Sequence, residues 1–279
     1  MKPAIYLLAF LSVFVSKDRD IFSSKAIENR MVKVSTDLYA NKYETSNAEY
    51  REFLEWVEEH DKNLLNEARV HEEGWSKVMG LAYAKNYFNH ERFDNYPVVN
   101  VTHKGAEAFC TWLTDRYNQS KKKKFQEVKF RLPTKDEWIS MALNGRHNAQ
   151  YYPWGGPYLK NKQGHYLAQF FRIGNQDVKL DINDKTKSSI AIEPQLDEHG
   201  NAHHGMVFTT KVDAYMATGA GLHNLSGNAA EMLAEKGSTK GGSWGSSGYY
   251  LRINAEDEFE GFDYSPYVGF RYVMEVIEE

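Results

Sequence analysis

Thiols, imidazoles and carboxylates carry most enzyme chemistry, and in this chain of 279 residues the first two are scarce or poorly placed for it. Cys110 is the only cysteine. It cannot close an intramolecular disulfide, so the chain has no redox staple whichever compartment it occupies. A nucleophilic cysteine needs an accessible thiolate of lowered pKa, whereas Cys110 shares an apolar stripe with Ala106, Phe109 and Leu113 at helical spacing. The predicted role is core packing. The one histidine cluster is His199, His203 and His204, in the run His199-Gly200-Asn201-Ala202-His203-His204. A glycine-containing loop gives three imidazoles no fixed geometry, so the expected state is a solvated loop, not a transition-metal site. The hydrolase order Ser, Asp, His following a nucleophile elbow is absent, as is a glycine loop that would cradle phosphate.

The elements that must position any site are legible as patterns. Met31 to Tyr43 alternates loosely, as a strand pair does. Ser46 and Glu49 have capping-box spacing, and Tyr50, Phe53, Leu54 and Val57 follow on one face, which predicts a first helix. Residues from about 60 to 94 are polar and aromatic without a period, which predicts an irregular surface excursion. Pro97 to Val101 reads as a short apolar strand that leads to an N-cap at Thr102 and the helix carrying Cys110. A strand ending at Phe130-Arg131-Leu132 meets Pro133, after which Thr134 and Glu137 open a third helix through Trp138, Met141 and Ala142. Beyond Leu143 the chain is rich in Gly, Asn, Asp, Ser and aromatics, predicting loops, turns and short strands. With no internal repeat and no linker, residues 21–279 form a single expected domain.

Composition sets outer bounds. With 42% hydrophobic and 14% aromatic residues the chain can bury a sizeable core. A net charge of -4 gives no electrostatic reason to expect nucleic acid, and the basic run Lys121 to Lys124 reads as a solvated loop tip. Ala4 to Val15 is apolar except for Ser12, is too short to span a bilayer and fits the hydrophobic region of a secretory signal. Residues 1–20 are therefore expected to be a signal or N-terminal anchor segment, with export to the periplasmic or extracellular face of the envelope. No transmembrane span is expected beyond it.

Several blocks occur in a recognisable order: Glu44 to Phe53, Pro97 to Val101, Ala106 to Leu113, Arg131 to Trp138, Tyr152 to Gly155, Gly221 to Glu231, Gly241 to Trp244, and Gly269 to Arg271. Together they resemble the formylglycine-generating-enzyme, or sulfatase-modifying-factor, domain family across nearly the whole chain. The resemblance implies an α+β, C-type-lectin-like fold that is poor in regular secondary structure, with small twisted sheets and a few helices.

The resemblance also implies a structural calcium site on the loop Asn224 to Glu231, with Asn224, Gly227, Ala229 and Glu231 supplying side-chain and backbone oxygens to a hard cation. A second calcium site involving Asn175 would lack its acidic partner, because the corresponding stretch reads His204-Gly205. The family's enzyme holds copper with two cysteines just after the Gly-Gly-Ser block. Here Gly241-Gly242-Ser243-Trp244 is followed by Gly245-Ser246-Ser247-Gly248-Tyr249-Tyr250-Leu251, which has no thiol. A hydroxyl is a hard, weak ligand and does not replace a thiolate for Cu(I), so copper and formylglycine chemistry by that route are not expected. Ala230 and Met232 stand where relatives carry aromatics beside the loop glutamate, and Arg252 to Glu256 departs from a common Arg-x-x-x-Arg pattern. The iron-dependent sulfoxide-synthase branch takes its ligands mostly from a separate helical domain, for which the chain has no room.

What the resemblance then suggests is a non-catalytic binding or scaffolding protein of the bacterial cell envelope. Silent relatives occur in gliding-motility and type IX secretion proteins, so the expected partners are envelope or secretion-complex proteins, or a glycan. The expected partner surface is Ser243, Trp244, Tyr249, Tyr250 and Arg252. Phe259, Phe262, Tyr264 and Tyr267, interleaved with Glu256, Asp257, Glu258 and Glu260, would extend it, since tyrosine gives large contact area at low entropic cost. The alternative for these rings is packing around Gly269-Phe270-Arg271. The rival activity is an iron- or copper-dependent oxidoreductase with ligands from His199, His203 and His204.

Overall fold

The computed structural model describes residues 21–78, 81–146, 151–172, 178–184, 187–192, 208–255, 259 and 263–279. Helix α1 (Ser24–Arg30) leads into strands β1 (Met31–Lys33) and β2 (Leu38–Asn41), the predicted strand pair. Helix α2 (Asn47–His60) begins at the Ser46 and Glu49 capping box, in which each side chain accepts from the other residue's backbone N–H. The excursion from 60 to 94 differs from the sequence expectation. It contains α3 (Leu65–Ala68), α4 (Leu81–Asn89) and two short 3-10 turns, Glu72–Lys77 and Glu91–Phe93. Each piece buries only a few residues, among them Ala68, Trp75 and Tyr87, so no apolar period extends far enough to be read.

Helix α5 (His103–Gln119) starts at Thr102, whose hydroxyl accepts from Gly105 N–H, and β3 (Glu127–Arg131) and α6 (Lys135–Leu143) follow as predicted. Strands β4 (Val178–Asp184) and β5 (Lys187–Ile192) form an antiparallel hairpin. The remainder is loop with short strands β6 (Ala230–Met232), β7 (Thr239–Lys240), β8 (Val268–Gly269) and β9 (Val273–Glu278).

One sheet has the order β1-β2-β9-β3, antiparallel throughout, with β9 paired to both β2 and β3. The other small sheet is β7-β6-β8, in which β6 and β8 run parallel. Helices α2 and α5 meet over the first sheet through Tyr50, Phe53, Phe109, Trp112 and Leu113. The Tyr50 and Phe109 rings are stacked at 5.8 Å, and Phe109 meets Phe270 edge-on at 5.5 Å. Cys110 belongs to this cluster, as its spacing predicted. At the sheet edge, Arg131 donates to both Glu137 oxygens (2.7 and 2.8 Å) and, through Nε, to Glu275 (2.9 Å). These bonds tie the start of α6 to β3 and β9.

Phe109→Ala is expected to cost about 3–5 kcal/mol of stability in urea denaturation, because its ring touches both helices and the sheet. A second expectation concerns acid. The Arg131 guanidinium holds the Glu137 carboxyl below its ordinary range. The stability it contributes is therefore present above that range and is lost as pH falls through the lowered folded-state value. Thermal melts of Arg131→Met should show a shallower loss on acidification than the parent.

Candidate functional site

The Asn224 to Glu231 loop is held by two buried carboxylates. Glu231, on β6, faces Arg271, which lies just past β8, and the two side chains are 1% and 0% exposed. Arg271 donates to Glu231 Oε1 through Nε (2.9 Å) and Nη2 (2.6 Å), and Glu231 Oε2 accepts from Trp138 Nε1 at 2.8 Å. The guanidinium also donates to the Asn41 carbonyl (2.8 Å) and the His223 carbonyl (2.6 Å). A single ion pair thus joins α6, the end of β2, the 221–224 turn and the β7-β6-β8 sheet.

The second carboxylate is Glu44, between β2 and α2. Its Oε2 accepts from Asn224 Nδ2 (3.0 Å) and Asn228 Nδ2 (2.8 Å), and Oε1 accepts from Ala229 N–H (3.0 Å). Burial pushes the Glu44 carboxyl up to about 8, against the lowering effect of the Asn224 and Asn228 hydrogen bonds and the nearby Arg271, while Glu231 pushes it further up. The loop needs left-handed backbone to reach it. Asn224, Gly227 and Asn228 have φ of 50°, 81° and 63°. At Gly227 an added Cβ would come within 2.2 Å of the Gln169 carbonyl oxygen, so only glycine fits. Sequence reasoning placed Glu44 in a motif but gave it no role. Its partners lie some 180 positions away, and spacing carries no signal for such a contact.

The four residues expected to hold calcium lie on this buried loop. A hard cation needs unclaimed oxygens, and Asn224 Oδ1 is buried with no hydrogen-bond partner. Glu231 shares its carboxylate with Arg271 and Trp138 and keeps lone-pair capacity on Oε2, which takes only the Trp138 bond in this network. An amide oxygen and a carboxylate oxygen are donor types that calcium takes. Among the described residues no three His, Cys, Asp or Glu side chains gather as a metal site. His199, His203, His204 and Asn175 lie outside the described residues, as do residues 1–20, Glu256 to Glu258, Glu260 and Phe262. Among the described residues no helix is long and apolar enough to cross a membrane.

The segment after Gly241 turns inward. Ser243 and Trp244, expected on a partner surface, are buried. Trp244 donates from Nε1 to the Pro266 carbonyl at 2.9 Å and packs on Trp75 and Tyr267, so it is a core side chain. Ser243 Oγ lies 3.1 Å from Ser246 Oγ and accepts from Gly245 N–H at 3.1 Å. The stretch Gly241 to Gly245 does spell Gly-x-Ser-x-Gly, but its serine is enclosed by these partners and no histidine follows it in the chain. Ser246 and Leu251 are fully buried, and Leu251 packs with Tyr152, Ala168 and Phe170. Cys110 sits in a different core cluster, where burial pushes its thiol well above the ordinary value.

Tyr249 is 55% exposed, and Tyr250 and Arg252 are part-exposed beside it, so this part of the expected surface is at the surface. Phe259 and Tyr267 pack against the core, and Tyr264 stacks on His71 at 4.0 Å. These rings follow the core-packing alternative more than the surface one.

Residues 17–276 match the Sulfatase-modifying factor enzyme 1-like domain. The chain belongs to this family. Formylglycine-generating enzyme from Mus musculus is 24% identical over 233 residues, covering 73% of this chain and 50% of that protein. Inactive C-alpha-formylglycine-generating enzyme 2 from Bos taurus is 31% identical over 75 residues, 27% of this chain and 20% of that one. This sulfatase-modifying-factor domain therefore spans about half the length of the mouse enzyme it matches. Among solved structures, that of CarF aligns with a TM-score of 0.51 at 18% identity over 86% of each chain, which supports the shared fold. Treponema denticola variable protein 1 aligns at 0.48 and 15% identity over 88% of this chain and 91% of that one. The expected formylglycine-generating-enzyme-like α+β fold is thereby established.

Removing one partner of the buried pair should leave the other charge uncompensated, so Arg271→Met is expected to cost about 3–5 kcal/mol. The double variant Glu231→Leu with Arg271→Met should cost less than the two single changes added together. A double-mutant cycle by urea denaturation measures that coupling.

Proposed function

We propose that this domain is a non-catalytic binding or scaffolding member of its family, working at the bacterial cell envelope as part of a secretion, motility or surface complex. The observation that carries the proposal is the segment from Ser243 to Leu251, which offers hydroxyls closed on one another and a buried leucine, but no thiolate. Oxidation of a peptide cysteine through Cu(I) requires soft sulfur ligands, and the only cysteine lies on α5 in a separate core cluster with a raised pKa. The apolar stretch Ala4 to Val15 supports export, and the exposed Tyr249 with Arg252 supports a protein or glycan partner. A calcium ion held by Asn224, Gly227, Ala229 and Glu231 would act as a clip on backbone that has little secondary structure. Asn224 Oδ1 is the oxygen that supports it.

Incubation of the purified chain with copper, dioxygen, a thiol reductant and a cysteine peptide should give no peptide aldehyde by mass spectrometry, and aldehyde formation above a protein-free control would refute the proposal. Calcium at about a hundredfold excess over its dissociation constant should stabilise the fold by roughly 2.7 kcal/mol. Asn224→Ala should abolish most of that gain, and tightly bound copper or iron in elemental analysis would favour an oxidoreductase instead.

A further inference from the structure

In a chain of net charge -4, two segments carry no carboxylate at all: the stretch between Glu137 and Asp177, and the stretch between Glu235 and Glu256. The first holds Arg146, Lys160, Lys162 and Arg172, and the second holds Lys236, Lys240 and Arg252. The fold joins parts of these two segments into one unit. Ile253 N–H donates to the Tyr151 carbonyl (3.0 Å), Tyr152 Oη donates to the Gly248 carbonyl (2.9 Å), and Phe171 N–H donates to the Ser246 carbonyl (2.9 Å). Leu251 is the buried centre against which Tyr152 and Phe170 pack.

Around that centre the exterior is aromatic and cationic. Tyr151, Tyr158 and Tyr249 are 55%, 74% and 55% exposed, which makes them three of the five large hydrophobic side chains left exposed among the described residues. Arg252 lies over the Tyr249 ring at 3.7 Å while its Nε donates to the Tyr249 carbonyl at 3.0 Å. Lys160 and Arg172 sit over the Tyr166 ring at 4.4 and 4.1 Å, and Lys162 is exposed beside them. A guanidinium held flat on a ring has lost much of its rotamer freedom in advance and presents its remaining N–H groups to a planar anion. Exposed tyrosines beside arginine are the composition of binding hot spots, and the two segments that build this face supply cations and no carboxylate of their own.

Resting on the binding-module reading above, we infer that the face built by residues 151–172 and 246–253 docks an acidic protein segment. Its aspartates or glutamates pair with Arg252, Lys160 and Lys162, and its apolar side chains lie on Tyr151, Tyr158 and Tyr249. Charge complementarity selects this occupant. A basic segment would find no carboxylate on residues 151–172 and 246–253, and a neutral one would give their cations no counter-charge.

Fluorescence polarisation with the full chain tests the inference, using a short fluorescein-labelled peptide of alternating glutamate and leucine beside lysine–leucine and glutamine–leucine versions. The glutamate peptide should bind alone among the three and weaken as salt rises. Arg252→Glu, and separately Lys160→Glu with Lys162→Glu, should each weaken it by about tenfold or more, equivalent to roughly 1.4 kcal/mol, while melting temperature stays within the normal range for surface changes. Tyr249→Ser should also weaken it, which separates a shaped site from bulk charge attraction. Equal binding of all three peptides, no effect of charge reversal in folded protein, or binding of the polyanionic polysaccharide alginate but not of the glutamate peptide would overturn the inference. Those results leave the non-catalytic reading intact, since that reading fails on aldehyde formation instead.

Discussion

The Glu231 and Arg271 ion pair is the constraint on which the loop-built half of the molecule depends. Two fully buried opposite charges are costly to desolvate, and they persist only where every remaining donor is met. Here Arg271 gives two further N–H groups to the carbonyls of Asn41 and His223, and Glu231 takes the Trp138 indole. The consequence is positional. Strands as short as β6, β7 and β8 cannot fix a register by ladder bonds alone, yet a guanidinium with four bonds to three separate segments fixes where each must lie. Glu44 holds the same loop a second time, through the side-chain amides of Asn224 and Asn228.

Much of the helical framework was legible because its signals are local. Ser46 with Glu49 and Thr134 with Glu137 form capping boxes, and the stripe Ala106, Phe109, Cys110, Leu113 faces the core. What escaped were contacts whose cause lies far along the chain. Glu44 belongs to a motif but shows no role until the Asn224 loop is folded onto it. Ser243 and Trp244 read as part of a partner surface. Gly241 and Gly242 instead adopt φ of 91° and 63°, and this backbone delivers the serine and the indole into the interior. In the 60 to 94 excursion, helices of one or two turns place too few side chains inside for a period to emerge.

The parts of this domain differ in what they ask of a side chain. The clamp residues must fit a dense interior, where Glu231 is bonded to both Arg271 and Trp138. The segment from Ser246 to Leu251 packs instead in its own cluster, in which Leu251 meets Tyr152, Ala168 and Phe170 and no side chain bonds to the ion pair. Separation of framework from chemistry is what lets a family keep one architecture through changes of role.

The placement of β9 between β2 and β3 has a further consequence for how the protein is made. A ribosome delivers β1, β2 and β3 well before the strand that must lie among them. Until β9 arrives, β2 and β3 each hold an open row of backbone donors and acceptors, the kind of edge that invites pairing with other chains. The sheet is therefore completed only near the close of translation of this domain, and the nascent polypeptide has a stretch of its synthesis in which it gains from being shielded by a chaperone.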